Sequence, residues 1–410
     1  MSEPAGRNPR ARAVSSLDCL TPRTILYTGK GGVGKTSVAA ATAVCSAAAG
    51  RRTLILSTDP AHSLSDSFQL ELGAEPTALA ENLHASEIDA QHELARHWSG
   101  VQGWFGELLV ARGVDRISAQ ELTVPPGMDE LFCLLRLKDH HESGDWDVII
   151  IDCAPTGETL RMLSFPDAAR WWLERVMPFQ RMILATAAPL ARGVLDIPLP
   201  TAAVFEDVQR LSNNLIAMDA ILRDTDHSTI RLVMAPDRMV IGEAMRTFTY
   251  LNLYGYLTDA VVVNKVFPQD VGDYFDRWRG LQAEQLELVR AAFSPVPVLQ
   301  APYFEQEVIG TEMLERLGST LFDQGSDPAA ILHTTIIQAV QSDGERATLR
   351  LTIPFASKAQ IGLRQVGLEL VVTAGRHRRV IMLPPTLAAY KPMSATYEDG
   401  TLEVSFDRER

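Results

Sequence analysis

The stretch Gly29-Lys30-Gly31-Gly32-Val33-Gly34-Lys35-Thr36-Ser37 combines residue types suited to one task, the holding of phosphate. Glycines let a backbone turn tightly and aim its N–H groups at phosphate oxygens. The N-terminus of the following helix adds a favourable dipole, and Lys35 a compact positive charge. Thr36 is placed to hold Mg2+ beside them. Lys30, ahead of the glycine pair, is a second lysine and a charge beyond what a phosphate loop requires. Two carboxylates follow. Asp59, in STDPAHSLSD, could orient or deprotonate a water that attacks a γ-phosphate and lie near its metal; an Asp before proline also suits a turn. Asp152, in IIIDCAPTGET, has the placement of a carboxylate that positions Mg2+, directly or through its water. Asn264, beside Lys265, and Pro302-Tyr303 fall where an adenine ring could be held. An amide offers a base edge both a donor and an acceptor, although a strand-end asparagine also forms turns. His62 has no second histidine at ligand spacing and reads as a hydrogen-bonding loop residue rather than a metal ligand.

These residues need a scaffold that brings them to one edge. TILYT before the loop, Thr53–Ser57, the run ending at Asp152, RLVMAPD from Arg231 and AVVVNKVFP from Ala260 are five apolar runs. Continuous runs of this kind belong to parallel strands covered on both faces. They predict an α/β fold with a doubly wound, mostly parallel sheet and chemistry at the carboxyl ends of its strands. Residues 38–49, closed by Gly50, read as the helix after the loop. Helical stretches at about 92–125 and 168–225 are surplus to the site and read as an inserted subdomain. Within it Val204, Val208, Leu211, Leu215, Met218 and Leu222 form an apolar seam, and Trp171, Trp172, Val176, Met177, Phe179 and Met182 begin a second apolar segment. Ordinary helix packing and a groove for an apolar client helix both fit such stripes, methionine being adaptable. From Arg346 the pattern changes to short alternating strands with Gly, Pro and Asp-Gly turns, a small all-β sandwich. The expected organisation is a tail over 1–21, an ATPase domain over 22–325, a linker over 326–345 and the sandwich over 346–410. Arg376 to Arg379 reads as a charged, protected strand edge.

A formal net charge of -13 argues against sequence-independent nucleic-acid binding, which needs a basic surface. Cys19, Cys45, Cys133 and Cys153 form no C-x-x-C pair, so neither a disulfide framework nor a zinc clip is indicated and a reducing compartment fits. No run has the length and continuity of a secretory signal or membrane span. A cytoplasmic location is expected, or the plastid stroma for a plant protein.

KGGVGKTS with Lys30, STDPAHSLSD and DCAPTGETLR resemble the deviant Walker A, switch I and switch II motifs of one family. That family contains the arsenite-pump ATPases and the targeting factor for tail-anchored membrane proteins. VVVNKVFP and APYFEQEVIG resemble its adenine-side motifs, and SATYEDGTLEVSF resembles the α-crystallin domain of small heat-shock proteins. The resemblance implies an ATP- and Mg2+-dependent homodimer in which Lys30 of one subunit reaches the phosphates bound by the other. It implies that Asp59 positions the hydrolytic water, Asp152 serves the Mg2+ side and Asn264 contacts adenine. It further implies capture of hydrophobic client segments in a helical groove, with a transient membrane-receptor contact. An ATP-gated holdase and an arsenite-type anion-transport ATPase are the alternatives. Three departures matter: Glu158 stands where relatives often have His, and both the dimer-stapling zinc cysteines and the metalloid-binding cysteine cluster are missing. Dimerisation would then rest on nucleotide and noncovalent surface, and arsenite stimulation is not expected. An electron-transfer reductase of the same superfamily would need cysteines such as Cys133 and Cys153 to bridge a cluster between subunits.

Overall fold

The computed structural model describes residues 21–59, 63–88, 93, 102–104, 106–107, 109–110, 128–154, 202–322, 326–334, 338–342, 346–353, 357–367, 369–375, 377–382 and 390–408. The first strand, β1 (Arg23–Gly29), feeds the glycine loop, and α1 (Lys35–Ala48) leaves it. Then come β2 (Thr53–Ser57), α2 (Ser63–Phe68), β3 (Thr77–Ala80), β4 (Leu83–Glu87), α3 (Met128–Ser143) and β5 (Val148–Asp152). The domain continues through α4 (Ala202–Arg223), β6 (Ser228–Met234), α5 (Arg238–Tyr254), β7 (Thr258–Val266), α6 (Asp276–Phe293), β8 (Val298–Pro302) and α7 (Thr311–Leu321).

The eight strands form one sheet in the order β3-β4-β2-β5-β1-β6-β7-β8. Among the described residues the β3–β4 pair is antiparallel and the other pairs of this sheet are parallel. Alternate residues of each central strand enter two cores. Ile25, Tyr27, Ile55 and Ile150 pack with α1, α2 and α7, while Leu26, Leu54, Leu56 and Ile151 pack with α3 to α6. Burial on both faces is why these strands read as continuous apolar runs. Three strands lie beyond the five apolar runs. β3 is short and mostly exposed, β4 carries His84, Ser86 and Glu87, and β8 carries Gln300 and Pro302 at the sheet edge. Polar residues at these flanks break the signal that marks the centre.

The seam of α4 resolves toward packing. Val204, Leu211, Leu215, Met218 and Leu222 are buried, and Val208 is half-buried. The helix lies against α3 and β6, so this stretch is core rather than an open groove. Residues 168–201, including the segment that begins at Trp171, lie outside the described residues, as do His62 and Glu158.

The C-terminal strands are β9 (Gln338–Ser342), β10 (Arg346–Thr352), β11 (Ile361–Val366), β12 (Glu369–Ala374), β13 (His377–Met382), β14 (Tyr390–Glu398) and β15 (Thr401–Arg408). They form a four-stranded sheet, β14-β15-β10-β9, and a three-stranded one, β11-β12-β13. Leu349, Leu351, Leu370, Val372, Leu402, Val404 and Phe406 fill a core between them. His377, Arg378 and Arg379 of the basic run fall on β13, an edge strand as their charge suggests, and Arg376 lies outside the described residues.

The stretch after α7 is pinned to the amino ends of the central strands. Fully buried Arg231 donates to the carbonyls of Pro328 and Ala330 and to the Tyr27 hydroxyl, and pairs with Asp259 at 3.3 Å. Arg23 donates to the Ala329 carbonyl and also pairs with Asp259, whose Oδ2 accepts the Leu332 N–H. Burial lowers the Arg23 pKa to about 10, partly offset by Asp259. It therefore stays cationic at neutral pH. The beginning of the expected linker is thus tied into the sheet.

Candidate functional site

The site lies at the carboxyl edge, where the chain turns from the β2–β5 side of β1 to the β6 side. Doubly wound sheets bind ligands at such a reversal. A cavity of about 750 Å3 opens there. Gly31, Gly32, Gly34, Lys35, Thr36 and Ser37 line it, with Asp59, Asn264, Pro302 and Tyr303. The elements thus bring most of the sequence-selected residues to one place, with Gly29, Lys30, Val33 and Asp152 off the cavity wall.

Two glycines of the loop are fixed by what surrounds them. A Cβ on Gly29 would lie 2.1 Å from the Val233 carbonyl oxygen of the neighbouring strand. At Gly34, φ is +87° and a Cβ would fall 2.4 Å from Asn264 Nδ2. No side chain fits at either position without displacing backbone or amide. Val33 is buried among α1 and sheet residues, which anchors the loop from beneath.

Asn264 supports the loop directly. Its Nδ2 donates to the Val33 carbonyl at 2.9 Å and its Oδ1 accepts the Lys265 N–H. Lys265, held at φ 63°, donates from Nζ to the Gly32 carbonyl at 2.7 Å. The amide retains one further donor and one further acceptor position beyond these two bonds. Tyr303 stands half in solvent, its N–H bonded to the Val266 carbonyl and its ring stacked on Phe267 at 5.9 Å.

On the other side, Thr36 Oγ1 donates to Asp152 Oδ2 at 2.6 Å and lies 3.1 Å from Ser63 Oγ. Asp152 is fully buried, and its Oδ1 meets no hydrogen-bond partner among the described residues. Burial pushes its pKa up to about 7 against the pull of Thr36 and Lys35, with Asp59 and Glu87 adding to the rise. An orphaned carboxylate oxygen beside a threonine hydroxyl is the donor set a hard divalent cation takes, usually with several of its own waters. The residues therefore fit Mg2+. Asp59 follows β2 on the cavity wall, and its N–H reaches Ser57 Oγ. Glu87, which sequence reasoning missed, caps the start of α2. Its Oε1 accepts the Leu64 and Ser65 N–H groups and its Oε2 the Ser65 hydroxyl. A glutamate ending a polar strand carries no signal of this role.

Lys30, like Gly29 and Val33, is not among the residues that line the cavity, and its ammonium pairs with Glu243 on α5 at 3.5 Å. Cys153 is completely buried, and burial together with Asp152 pushes its thiol pKa up, so it offers no surface ligand for a shared cluster. Among the described residues, no group of three or more His, Cys, Asp or Glu side chains could hold a metal, and no helix is long and apolar enough to cross a membrane.

A glycine loop with a buried lysine and an aspartate on one cavity, backed by a threonine bonded to a second, buried aspartate, defines a P-loop nucleotide hydrolase. The comparisons narrow the class: residues 22–323 match the family described as anion-transporting ATPase, and the chain belongs to that family of ATP-hydrolysing enzymes. Residues 344–406 match an HSP20-like domain found in the same proteins. The chain is 40% identical over 392 residues to a putative arsenical pump-driving ATPase of Chlorobaculum tepidum, covering 95% of this chain and 96% of that protein. It is 35% identical to putative arsenical pump-driving ATPase 1 of Aquifex aeolicus, covering 93% and 99%. It is 29% identical over 326 residues to the ATPase get3 of Sclerotinia sclerotiorum, covering 77% and 94%.

Proposed function

We propose that this ATPase is a homodimeric targeting factor or chaperone that binds apolar client segments, such as tail-anchored transmembrane helices, under nucleotide control. The observation that supports the dimer is that Lys30 is not among the cavity-lining residues and pairs instead with Glu243 through a partly exposed contact, which it can give up for the phosphates of a second subunit. A lysine delivered in trans makes hydrolysis depend on assembly, because transition-state charge is stabilised only after closure. Within one subunit, the loop N–H groups and Lys35 bind the phosphates. Thr36, Asp152 and Asp59 would hold Mg2+, and the ion would supply charge neutralisation to the phosphates. Asp59 orients the attacking water, and Asn264, Pro302 and Tyr303 hold the adenine.

The client reading is supported by the HSP20-like domain and by the relative named ATPase get3. Co-expression of the full chain with tail-anchored proteins, with and without Lys30→Ala, tests it. Clients should be recovered with the parent chain above the level of an unrelated ATPase. Equal recovery would remove the targeting role. A second reading, an ATP-gated holdase for unfolded proteins, is favoured by Val366 and Met393, apolar and exposed on the edge strands β11 and β14. Suppression of aggregation of a reduced, unfolded substrate without capture of transmembrane helices would support that reading instead. The arsenical-pump names of relatives raise an anion-transport role, which arsenite stimulation of ATP turnover would reveal.

A further inference from the structure

The partner of Lys30 within its own subunit has no part in the chemistry described above. Glu243 lies in the second turn of α5, and the side chains of Lys30 and Glu243 are 39% and 28% exposed, respectively. The helix that carries Glu243 is firmly held. Asp237 caps its start by accepting the Met239 and Val240 N–H groups. Its later turns, from Thr247 to Asn252, are buried. It packs on β6 and β7 and also meets β10 and β13 of the sandwich. Glu243 is thus a fixed post opposite a long, mobile-stemmed cation.

We infer that Glu243 is a positioning residue that holds Lys30 on its own subunit until a partner arrives, so that closure exchanges the Lys30–Glu243 pair for the partner's phosphates. The inference rests on the trans role of Lys30 proposed above. A half-exposed ion pair is weak and screened by salt, which suits a contact that must be given up at each closure. A triphosphate outcompetes one carboxylate for the same ammonium because it presents several negative charges at comparable distance. The pair therefore sets the threshold for closure rather than blocking it.

The test measures how much β,γ-imido ATP, with Mg2+, half-converts the full-length chain to the closed dimer, read by sedimentation. E243Q should lower that midpoint about two- to fivefold at low salt, the range an exposed pair supplies. The difference should shrink in ~0.5 M salt. E243D, with a shorter reach to Lys30, should fall between the two. A residue with a merely structural role would leave closure unchanged or weaken it when replaced, not promote it. An unchanged or raised midpoint in either variant, with its unfolding midpoint intact, overturns the inference. Lys30→Ala separates the two levels. If closure survives it, the trans reading fails; if closure is lost while E243Q behaves as the parent chain, only the role of Glu243 fails.

Discussion

Asp152 is buried with one oxygen unpartnered and its pKa raised from 3.8 to about 7, chiefly by burial. In that window the folded protein holds a proton the unfolded chain has already released. Stability of the ligand-free protein therefore falls as pH rises from about 4 to 7 and stays low above it. D152N removes this cost. It should stabilise the ligand-free protein by roughly 2–4 kcal/mol at pH 8 and much less at pH 4, measured by denaturant unfolding. It should also slow ATP hydrolysis about a hundredfold or more. A gain at pH 4 equal to that at pH 8 would contradict the burial account. Asn264 makes a second residue-scale case. N264A should weaken binding of tripolyphosphate, a ligand without a base, by roughly three- to tenfold, because the loop loses its hydrogen bond at Val33. Unaltered tripolyphosphate binding would leave Asn264 a base contact alone. Asn264 was legible in the sequence as an amide at a strand end, but its bond to a carbonyl 231 positions away was not, since pairing at that separation leaves no local pattern.

Helix α4 shows where an apolar stripe stops being informative. Its 3.6-residue period marks a buried face but not what covers it, and α3 and β6 supply the cover here. L215A and M218A should each cost about 2–5 kcal/mol in unfolding experiments, the range for buried aliphatic truncations. If the seam were instead a client groove, these variants would lose client capture at unchanged stability. The strands divide in the same way. β1, β2 and β5 were readable because both faces are apolar, whereas β4 was hidden by Glu87 and Ser86. Glu87 is buried because it caps α2. The phosphate loop was the most readable element, because its glycines answer to steric limits that few other residues meet, as Gly29 and Gly34 show.

Across the whole molecule, the buried Arg23–Asp259–Arg231 cluster ties the chain after α7 to the start of β1, the strand whose far end is the phosphate loop. D259N leaves two buried guanidinium groups short of their carboxylate. It should destabilise the protein by about 3–5 kcal/mol and expose the 326–334 stretch to limited proteolysis. Arg231 was legible only as the start of an apolar run and Asp259 not at all, because their pairing depends on the β6–β7 register. The central claim, that Lys30 serves the phosphates of another subunit, meets its most direct test in mixed dimers. Lys30→Ala and Asp59→Asn chains should each be nearly inactive alone. Mixed in equal amounts, they should recover roughly a quarter of parental ATP turnover, since half the dimers would pair one intact Asp59 with one intact Lys30 from the other chain. Recovery at that level is the predicted result. A mixture no more active than its components would place Lys30 in its own subunit's site and contradict the account.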